Sequence, residues 1–176
     1  TNNQAARPFS GGEGRLSLSG GLVQWQGTQS LQGVGQLGVN SATELRLRGV
    51  VLAGVDQGAL RTGADVTITA DQVAPASGTQ YLLAAPGHTV TISGGDAAAA
   101  APLSAAGAIT IQAQVIEQGG VLRAPFGQIS LQATDRLNLL PGSLTSVSGL
   151  GSTVPFGQTI GGIDWTVGAG TQLRNL

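Results

Sequence analysis

The sequence predicts an all-β fold, a parallel β-helix in which short strands stack on copies of themselves. First, the phrase Gly-x-Ile-Thr/Ser-Ile/Leu-Gln-Ala occurs twice, at residues 107–113 and 127–133. Second, apolar and polar residues alternate over short runs, as they do in strands that bury one face. Because one such strand cannot cover its own apolar face, the repeat predicts that each copy stacks on the next.

Five apolar-x-apolar triplets set the spacing of the repeat. They begin at Leu45, Val66, Val90, Ile109 and Ile129, in steps of 21, 24, 19 and 20 residues. Steps of roughly twenty residues fit one coil of a β-helix that contains two or three short strands. We therefore expect Ile109 and Ile129 to stack on adjacent coils.

The composition excludes several other classes of protein. Charged residues are only 10% of the chain, methionine is absent and every basic residue is arginine, which disfavours helices with a charged outer face. A hydrophobic content of 41% excludes a disordered chain. The 29 glycines follow no period of three, which excludes collagen.

Charge and hydropathy also limit the partners of the chain. A net charge of -1 offers no basic surface for nucleic acid or for an anionic membrane. The nearest approach to a basic cluster, Arg46 and Arg48, is expected on a solvated outer surface. No apolar run reaches the roughly 18 residues of a membrane span, so we expect no membrane insertion. Cysteine is absent, which excludes disulfides.

The domain organisation follows from where the periodicity holds. Residues 1–14 are polar and glycine-rich, and we interpret them as a lead-in or frayed end. Residues 15–176 form the β-helix segment. Within it, residues 141–176 are less regular and predict a final coil or a cap, the last alternating run being residues 163–167.

Two stretches interrupt the period, and several glycines mark corners. Residues 74–78 predict a turn-rich loop that protrudes from its coil. Residues 94–102 contain five consecutive alanines, but this run is too short for an isolated helix and is flanked by Gly and Pro, so we favour a loop. Glycines suited to corners, through positive φ or close backbone approach, are Gly49, Gly54, Gly107, Gly120 and Gly127.

A family resemblance comes from five phrases and one later tryptophan. The phrases lie at residues 66–73, 101–111, 122–131, 141–149 and 154–157, and the tryptophan is Trp165. In their joint spacing they resemble the filamentous haemagglutinin-like exoproteins of bacterial two-partner secretion. The likeness spans about Leu45 to Val167.

The resemblance implies a large secreted or surface-displayed protein with a right-handed β-helical shaft. Such proteins cross the outer membrane through a partner pore, and their roles include adhesion to host cells, aggregation and biofilm scaffolding. Neither the secretion domain of this family nor a toxin-like terminus is seen here, so we expect an internal shaft segment. The expected partners are the secretion pore of the parent protein and a host or matrix receptor, either a glycan or a protein.

Candidate catalytic residues are few. His88 is the only histidine, which excludes a Ser/His/Asp or two-histidine metal site within the chain; it follows Pro86-Gly87 and is expected on a turn. Asp71 and Asp135 are the best candidates to share a face. They follow their triplets at different offsets, so we favour single turn-capping aspartates. We predict no enzyme, no catalytic residues, no metal site and no cofactor.

Outward hydroxyl and amide side chains are the candidate binding groups, although no particular binding residue is predicted. Thr67, Thr91, Thr110 and Ser130 occupy the middle of successive triplets and are expected to form one outward ladder. Such a ladder can bind a glycan or an ice surface, but threonine is also a good structural strand residue, which we favour. The same two interpretations apply to Gln112, Gln114, Gln128 and Gln132.

Aromatic residues are candidates for sugar stacking or for core packing. With so few in the chain, Trp25, Tyr81 and Trp165 are expected to plug or cap the core. The sequence thus predicts a structural and adhesive shaft segment. The alternatives are a glycan-binding module that uses the Thr/Gln faces or the loop at residues 74–79, a carbohydrate-active β-helix enzyme, and the carrier stalk of a contact-dependent toxin.

Overall fold

A computed structural model describes residues 11–154, apart from residues 53 and 96, and the backbone of residues 158–160 and 163–166. The described part is all-β, contains no helix and pairs its strands mainly in parallel. The strands are β1 (Gly14–Gly20), β2 (Val23–Gln26), β3 (Thr28–Leu31), β4 (Val34–Arg48), β5 (Val50–Leu52), β6 (Val55–Thr62), β7 (Asp65–Pro75), β8 (Gln80–Ser93), β9 (Ala108–Gln118), β10 (Val121–Arg123), β11 (Gln128–Leu139), β12 (Leu144–Ser146), β13 (Gln158–Ile160) and β14 (Ile163–Thr166).

The parallel strands fall into three rows. Row A contains β1, the first parts of β4 and β7, and the last parts of β8, β9 and β11. Row B contains β2, the last parts of β4 and β7, β10 and β12. Row C contains β3, β6 and the first parts of β8, β9 and β11. Each long strand thus crosses from one row to the next and contributes to two of them.

The core consists of apolar ladders that run across the strands of each row. In row A, one ladder of successive Cα partners is formed by Leu16, Leu37, Val66, Val90, Ile116 and Leu137. Its four middle members are at most 1% exposed. Like side chains in register bury one another at every level, so each strand needs its neighbours to cover its apolar face.

The stacking that the repeated phrase predicts is confirmed for strands β9 and β11. Ile109 faces Ile129 across β9 and β11, and the register continues through the whole phrase to Ala113 and Ala133. Val66 likewise faces Val90 across β7 and β8. The expectation of in-register parallel stacking is therefore met at both pairs.

The expectation that successive triplets mark equivalent positions in successive coils fails between Leu45 and Val66 and between Val90 and Ile109. Leu45 belongs to row B and faces Val73. Ile109 belongs to row C and faces Tyr81. The triplets look alike because the inward positions of every row carry the same apolar-x-apolar pattern, so the pattern does not distinguish one row from another.

A β-hairpin is inserted between rows B and C. Strand β5 pairs with β6 in antiparallel fashion, with Val50 facing Gln57 and Val51 facing Asp56. Gly54, at φ +83°, supplies the left-handed conformation at the tip, as the sequence predicted for this corner glycine. This insertion lengthens the coil that separates the row A partners in β4 and β7.

The described residues of the alanine-rich stretch form a loop, as predicted, and contribute no strand to row B. Because this stretch forms no strand, Leu122 of β10 pairs directly with Val73 of β7. The loop lies over the outer side of β10, where the Arg123 guanidinium donates hydrogen bonds to the carbonyls of Ala97 at 2.6 Å and Ala99 at 2.9 Å. Between the layers that contain β7 and β10, rows A and C each contain one more strand, and row B contains none.

The loop predicted at residues 74–78 is smaller than expected. Ala74 and Pro75 are the buried end of β7, and only Ser77 and Gly78 form an exposed turn. The long step that suggested an excursion is one complete coil from Val66 to its true partner, Val90. The prediction of a protruding loop is therefore wrong for its first half.

The corner glycines mainly permit close approach between coils. A Cβ on Gly127 would lie 1.8 Å from the Gly107 carbonyl oxygen, and one on Gly107 would lie 2.7 Å from the Ala76 carbonyl oxygen. The Gln128 amide donates to that same Gly107 carbonyl at 3.1 Å. A side chain at either glycine would therefore displace the backbone of a neighbouring coil.

Polar side chains are buried at the corner between rows A and B. Glu44 accepts a hydrogen bond from Gln72 at 3.2 Å and pairs with Arg46 at 2.7 Å. Gln118 takes an aliphatic place in row A, and its amide nitrogen donates to the Gly120 carbonyl at 3.0 Å. Arg46 is therefore part of a half-buried network, while Arg48 is exposed as expected.

Strands β13 and β14 form a separate antiparallel pair, unlike the parallel rows. The predicted cap at residues 141–176 stays a prediction, since most residues beyond 154 lie outside the described ones. The same holds for the first ten residues of the predicted lead-in.

Candidate functional site

A groove lies on the outer face of row C. It has a volume of about 660 Å³ and crosses successive row C strands. The outward side chains that line it are Thr28, Gln57, Ala59, Arg61, Gln80, Leu82, Ala108, Thr110, Gln112 and Gln128. They come from five strands that are well separated in sequence, and parallel pairing alone brings them together.

Register arranges these side chains in columns. One edge of the groove is an amide column, in which Gln57 faces Gln80 and the Cα partner Ala108 lies between Gln80 and Gln128. Amide side chains both donate and accept hydrogen bonds, as sugar hydroxyls do. Strands in a row are about 4.8 Å apart, so the column presents these groups at regular intervals along the stack.

The floor of the groove is apolar and shallow. Thr28, Ala59, Leu82 and Thr110 are successive Cα partners, and Ala59 and Leu82 lie at the centre of this column. The small side chains of Ala59 on the floor and of Ala108 in the amide column leave space for a ligand. A half-buried Leu82 offers apolar surface of the kind that packs against the C–H face of a sugar ring.

The second edge contains the only charged group among the described residues that line the groove. Ser30, Arg61, Ala84 and Gln112 are successive Cα partners. Arg61 is half-buried, and no carboxylate is among the described lining residues. The groove is thus locally cationic, although the net charge of the chain is -1.

The β5–β6 hairpin is anchored beside the amide edge. The Thr79 hydroxyl donates to the Asp56 carboxylate at 3.1 Å, and the Gly49 amide donates to the Thr79 hydroxyl at 3.4 Å. Thr79 is fully buried, so this contact ties the base of the hairpin to the coil that carries Gln80. These hydrogen bonds fix the position of Gln57, which directly follows Asp56, at the rim of the groove.

A smaller groove of about 550 Å³ lies on the outer face of row A. The Arg15 guanidinium is already hydrogen-bonded to Gln36 there, and His88 lies 3.5 Å from the Asp65 carboxylate. Because Arg15 is already bonded to an amide and Asp65 lies beside His88, this surface offers less to a ligand than the row C groove does.

The predicted single ladder of hydroxyls does not exist. Thr67 and Thr91 face one another in row A, whereas Thr110 and Ser130 face one another in row C. In row A the next partner after Thr91 is Glu117. The hydroxyls therefore form two short arrays, neither of which is a continuous threonine face.

The predicted glutamines are divided in the same way. Gln112 and Gln128 line the row C groove, and the Gln112 amide donates to Gln132 at 2.9 Å. Gln114 is exposed and lies outside the groove lining. Arg61, Gln57 and Gln80 were not anticipated. Their signal is the outward position in each row C strand, which is recognisable only once the rows are known.

Asp71 and Asp135 stand singly at corners, as favoured from the sequence, but neither carboxylate accepts a hydrogen bond among the described residues, so the expected turn capping is not seen. Asp71 is exposed between the row A and row B parts of β7. Asp135 is exposed at the irregularity between the row C and row A parts of β11. They lie at different corners and do not form the carboxylate pair of a glycosidase.

Of the aromatic residues considered in the sequence, the two whose side chains are described belong to the core. Trp25 is 8% exposed and Tyr81 is 2% exposed, which confirms the expectation of core packing for both. The Tyr81 hydroxyl donates to the Gln29 side chain at 3.4 Å, and burial raises the pKa of Tyr81 above its ordinary value. The Trp165 side chain lies outside the described residues.

Tyr81 makes the stability of the fold sensitive to alkali. In the unfolded chain the phenol ionises near pH 10, whereas the folded chain holds its proton to higher pH. The free energy of unfolding should therefore fall as pH rises above about 10. Urea midpoints measured on either side of that pH should fall less in Tyr81→Phe than in the parent. As Tyr81 is the only tyrosine, phenolate absorbance that titrates normally in the folded chain would contradict this.

Among the described residues, no cluster of three or more His, Cys, Asp or Glu side chains is suited to a metal ion. The same part of the chain has no helix with the length and hydropathy needed to traverse a bilayer. Comparisons with known protein families, with curated proteins and with solved structures find no match for this chain.

Proposed function

We propose that the chain is a right-handed parallel β-helix and serves as a structural and adhesive shaft segment. The observation that carries this proposal is the in-register parallel stacking of strands in three rows. Each coil adds about 4.8 Å to the length of such a stack, so length grows in proportion to sequence. A segment of this kind suits a protein that must project a surface away from its point of attachment.

The proposed setting is a large exoprotein, secreted or displayed on a bacterial surface and exported through an outer-membrane pore. This part of the proposal rests on the resemblance of residues 66–73, 101–111 and 122–131 to two-partner secretion exoproteins. The protein would attach its carrier to host cells, to other bacteria or to a biofilm matrix. We do not propose an enzyme, because the described lining of the groove contains no carboxylate to act as acid, base or nucleophile.

A second candidate function is glycan binding by the shaft itself, and the row C groove favours it. The groove combines amide and hydroxyl side chains with an apolar floor, which matches the alternating polar edges and apolar faces of sugars. Its columns run along the stack, so an extended glycan would lie across several strands. A plain spacer has no need of such a groove.

A glycan panel with simultaneous measurement of released reducing ends tests these functions. We expect binding without release, and we expect Ala108→Trp to weaken that binding by at least about tenfold, because the indole projects from the amide edge and blocks the groove. Thr67→Trp, on the outer face of row A, should leave binding unchanged. Equal binding by both variants would place the glycan site outside the row C groove. If the parent chain bound no glycan, the remaining function would be that of a structural spacer. Release of reducing ends would contradict the non-enzymatic function.

A further inference from the structure

We propose that the row C groove binds a glycan that carries carboxylate groups, and that Arg61 holds one of these carboxylates. The inference rests on the proposed glycan-binding function and specifies its ligand class. The environment of the Arg61 side chain differs from that of most other described arginines.

Most other described arginines are already engaged. Arg46 and Arg136 pair with Glu44 and Glu117, at 2.7 Å and 3.6 Å. Arg15 is hydrogen-bonded to a glutamine, and Arg123 binds carbonyl groups of the alanine-rich loop. Within the described residues, no hydrogen bond or ion pair engages the Arg61 side chain. Arg48 shares this lack of a partner, but it is exposed and outside the groove.

Partial burial of Arg61 favours an anionic ligand over a neutral one. A half-buried guanidinium has lost part of its hydration, and its charge is not neutralised by any group that lines the groove. A bound anion would neutralise that charge in a site partly shielded from water, where ion pairing is stronger than on an open surface. The neighbouring amides would contact the uncharged hydroxyls of the same ligand.

The shape of the site favours a carboxylate and an extended chain. The planar guanidinium fork matches the two oxygens of a carboxylate, which gives a bidentate pair. Ala84, the Cα partner of Arg61 on the next strand, is too short to occupy the space beside it. Five strands contribute to the groove and span on the order of 20 Å, enough for several sugar units laid along the stack.

The test measures binding of uronic-acid oligosaccharides to the whole chain and to Arg61→Gln, with Arg61→Lys and Arg48→Gln as companions. The second probe is the same oligosaccharide after reduction of its carboxyl groups to alcohols. We expect Arg61→Gln to weaken binding of the acid form by about tenfold or more, as for loss of a charge-assisted hydrogen-bond pair. Arg61→Lys should recover only part of that loss because lysine lacks the fork. Arg48→Gln makes the same charge change outside the groove and should have little effect.

Each result bears on a different part of the inference. Equal binding of the acid and reduced probes, unaffected by Arg61→Gln, would overturn the carboxylate assignment and leave glycan binding standing. Binding of neither probe, with the rest of the panel also negative, would overturn both. A sulfated glycan that binds more tightly than the uronate, and depends on Arg61, would identify sulfate as the anion and contradict the assignment. Unchanged urea midpoints for the three variants exclude unfolding as the cause of lost binding.

Discussion

Replacing Val66 with aspartate is expected to abolish the folded state. Val66 is 1% exposed, and its ladder partners are Leu37 and Val90, neither of which can accept or donate a hydrogen bond through its side chain. Burying an unpaired carboxylate in such a place costs at least several kcal/mol, whether it stays ionised or takes up a proton. That cost is comparable to the whole stability of a typical domain, about 5–15 kcal/mol. Far-UV circular dichroism should show loss of the strand signal at neutral pH.

The adjacent substitution, Thr67→Asp, is the matched control. Thr67 is exposed on the outer face of the same strand, where its partners are Gly38 and Thr91. An added carboxylate there keeps its hydration, so we expect a change within about 0.5 kcal/mol in urea unfolding. Equal tolerance of aspartate at both positions would contradict the inward and outward assignment on which the three rows depend.

Gly127→Ala is expected to destabilise the fold by about 1–3 kcal/mol or more, in the manner of an overpacked core. The new methyl group would lie 1.8 Å from the Gly107 carbonyl oxygen, far inside the van der Waals contact distance. The corner between β10 and β11 must therefore move away from the coil below. Movement there also strains the hydrogen bond from the Gln128 amide to the same carbonyl. Equilibrium unfolding in urea measures the loss as a lowered midpoint.

Gly21→Ala provides the comparison at another corner of the stack. A Cβ on Gly21 meets nothing within 4 Å, and its backbone is not in the left-handed region. Alanine should therefore be neutral or slightly stabilising there, because it restricts the unfolded chain. If Gly127→Ala were tolerated as well as Gly21→Ala, close approach between coils would not be the reason for glycine at that corner.

The elements of the fold that could be predicted are those encoded locally. Alternation of apolar and polar residues identified the strands, and the repeated phrase placed Ile109 on Ile129 correctly. Assignment to rows failed because a coil is defined by contacts between residues some twenty or more positions apart. The hairpin after Gly49 and the alanine-rich loop change the length of their coils, so equal spacing in sequence does not mean an equal position in the stack.

The candidate site was less predictable for the same reason. Gln112 and Gln128 were noticed as outward glutamines, but nothing local links them with Arg61. That link depends on the register through Ala84, which carries no functional group of its own. A binding surface made of one outward residue per strand has no sequence motif, and only the pairing of distant strands reveals it.

The missing row B strand has a consequence for the geometry of the stack of strands. Between β7 and β10, two sides of the stack contain one more strand than the third, where Val73 meets Leu122. We therefore expect the strands on either side of this level to lie closer together in row B than in rows A and C, which would bend the stack toward row B. In a long shaft, the number and placing of such omissions would determine whether the filament runs straight or curves. In the proposed shaft, the alanine-rich loop would then mark the position of such a bend.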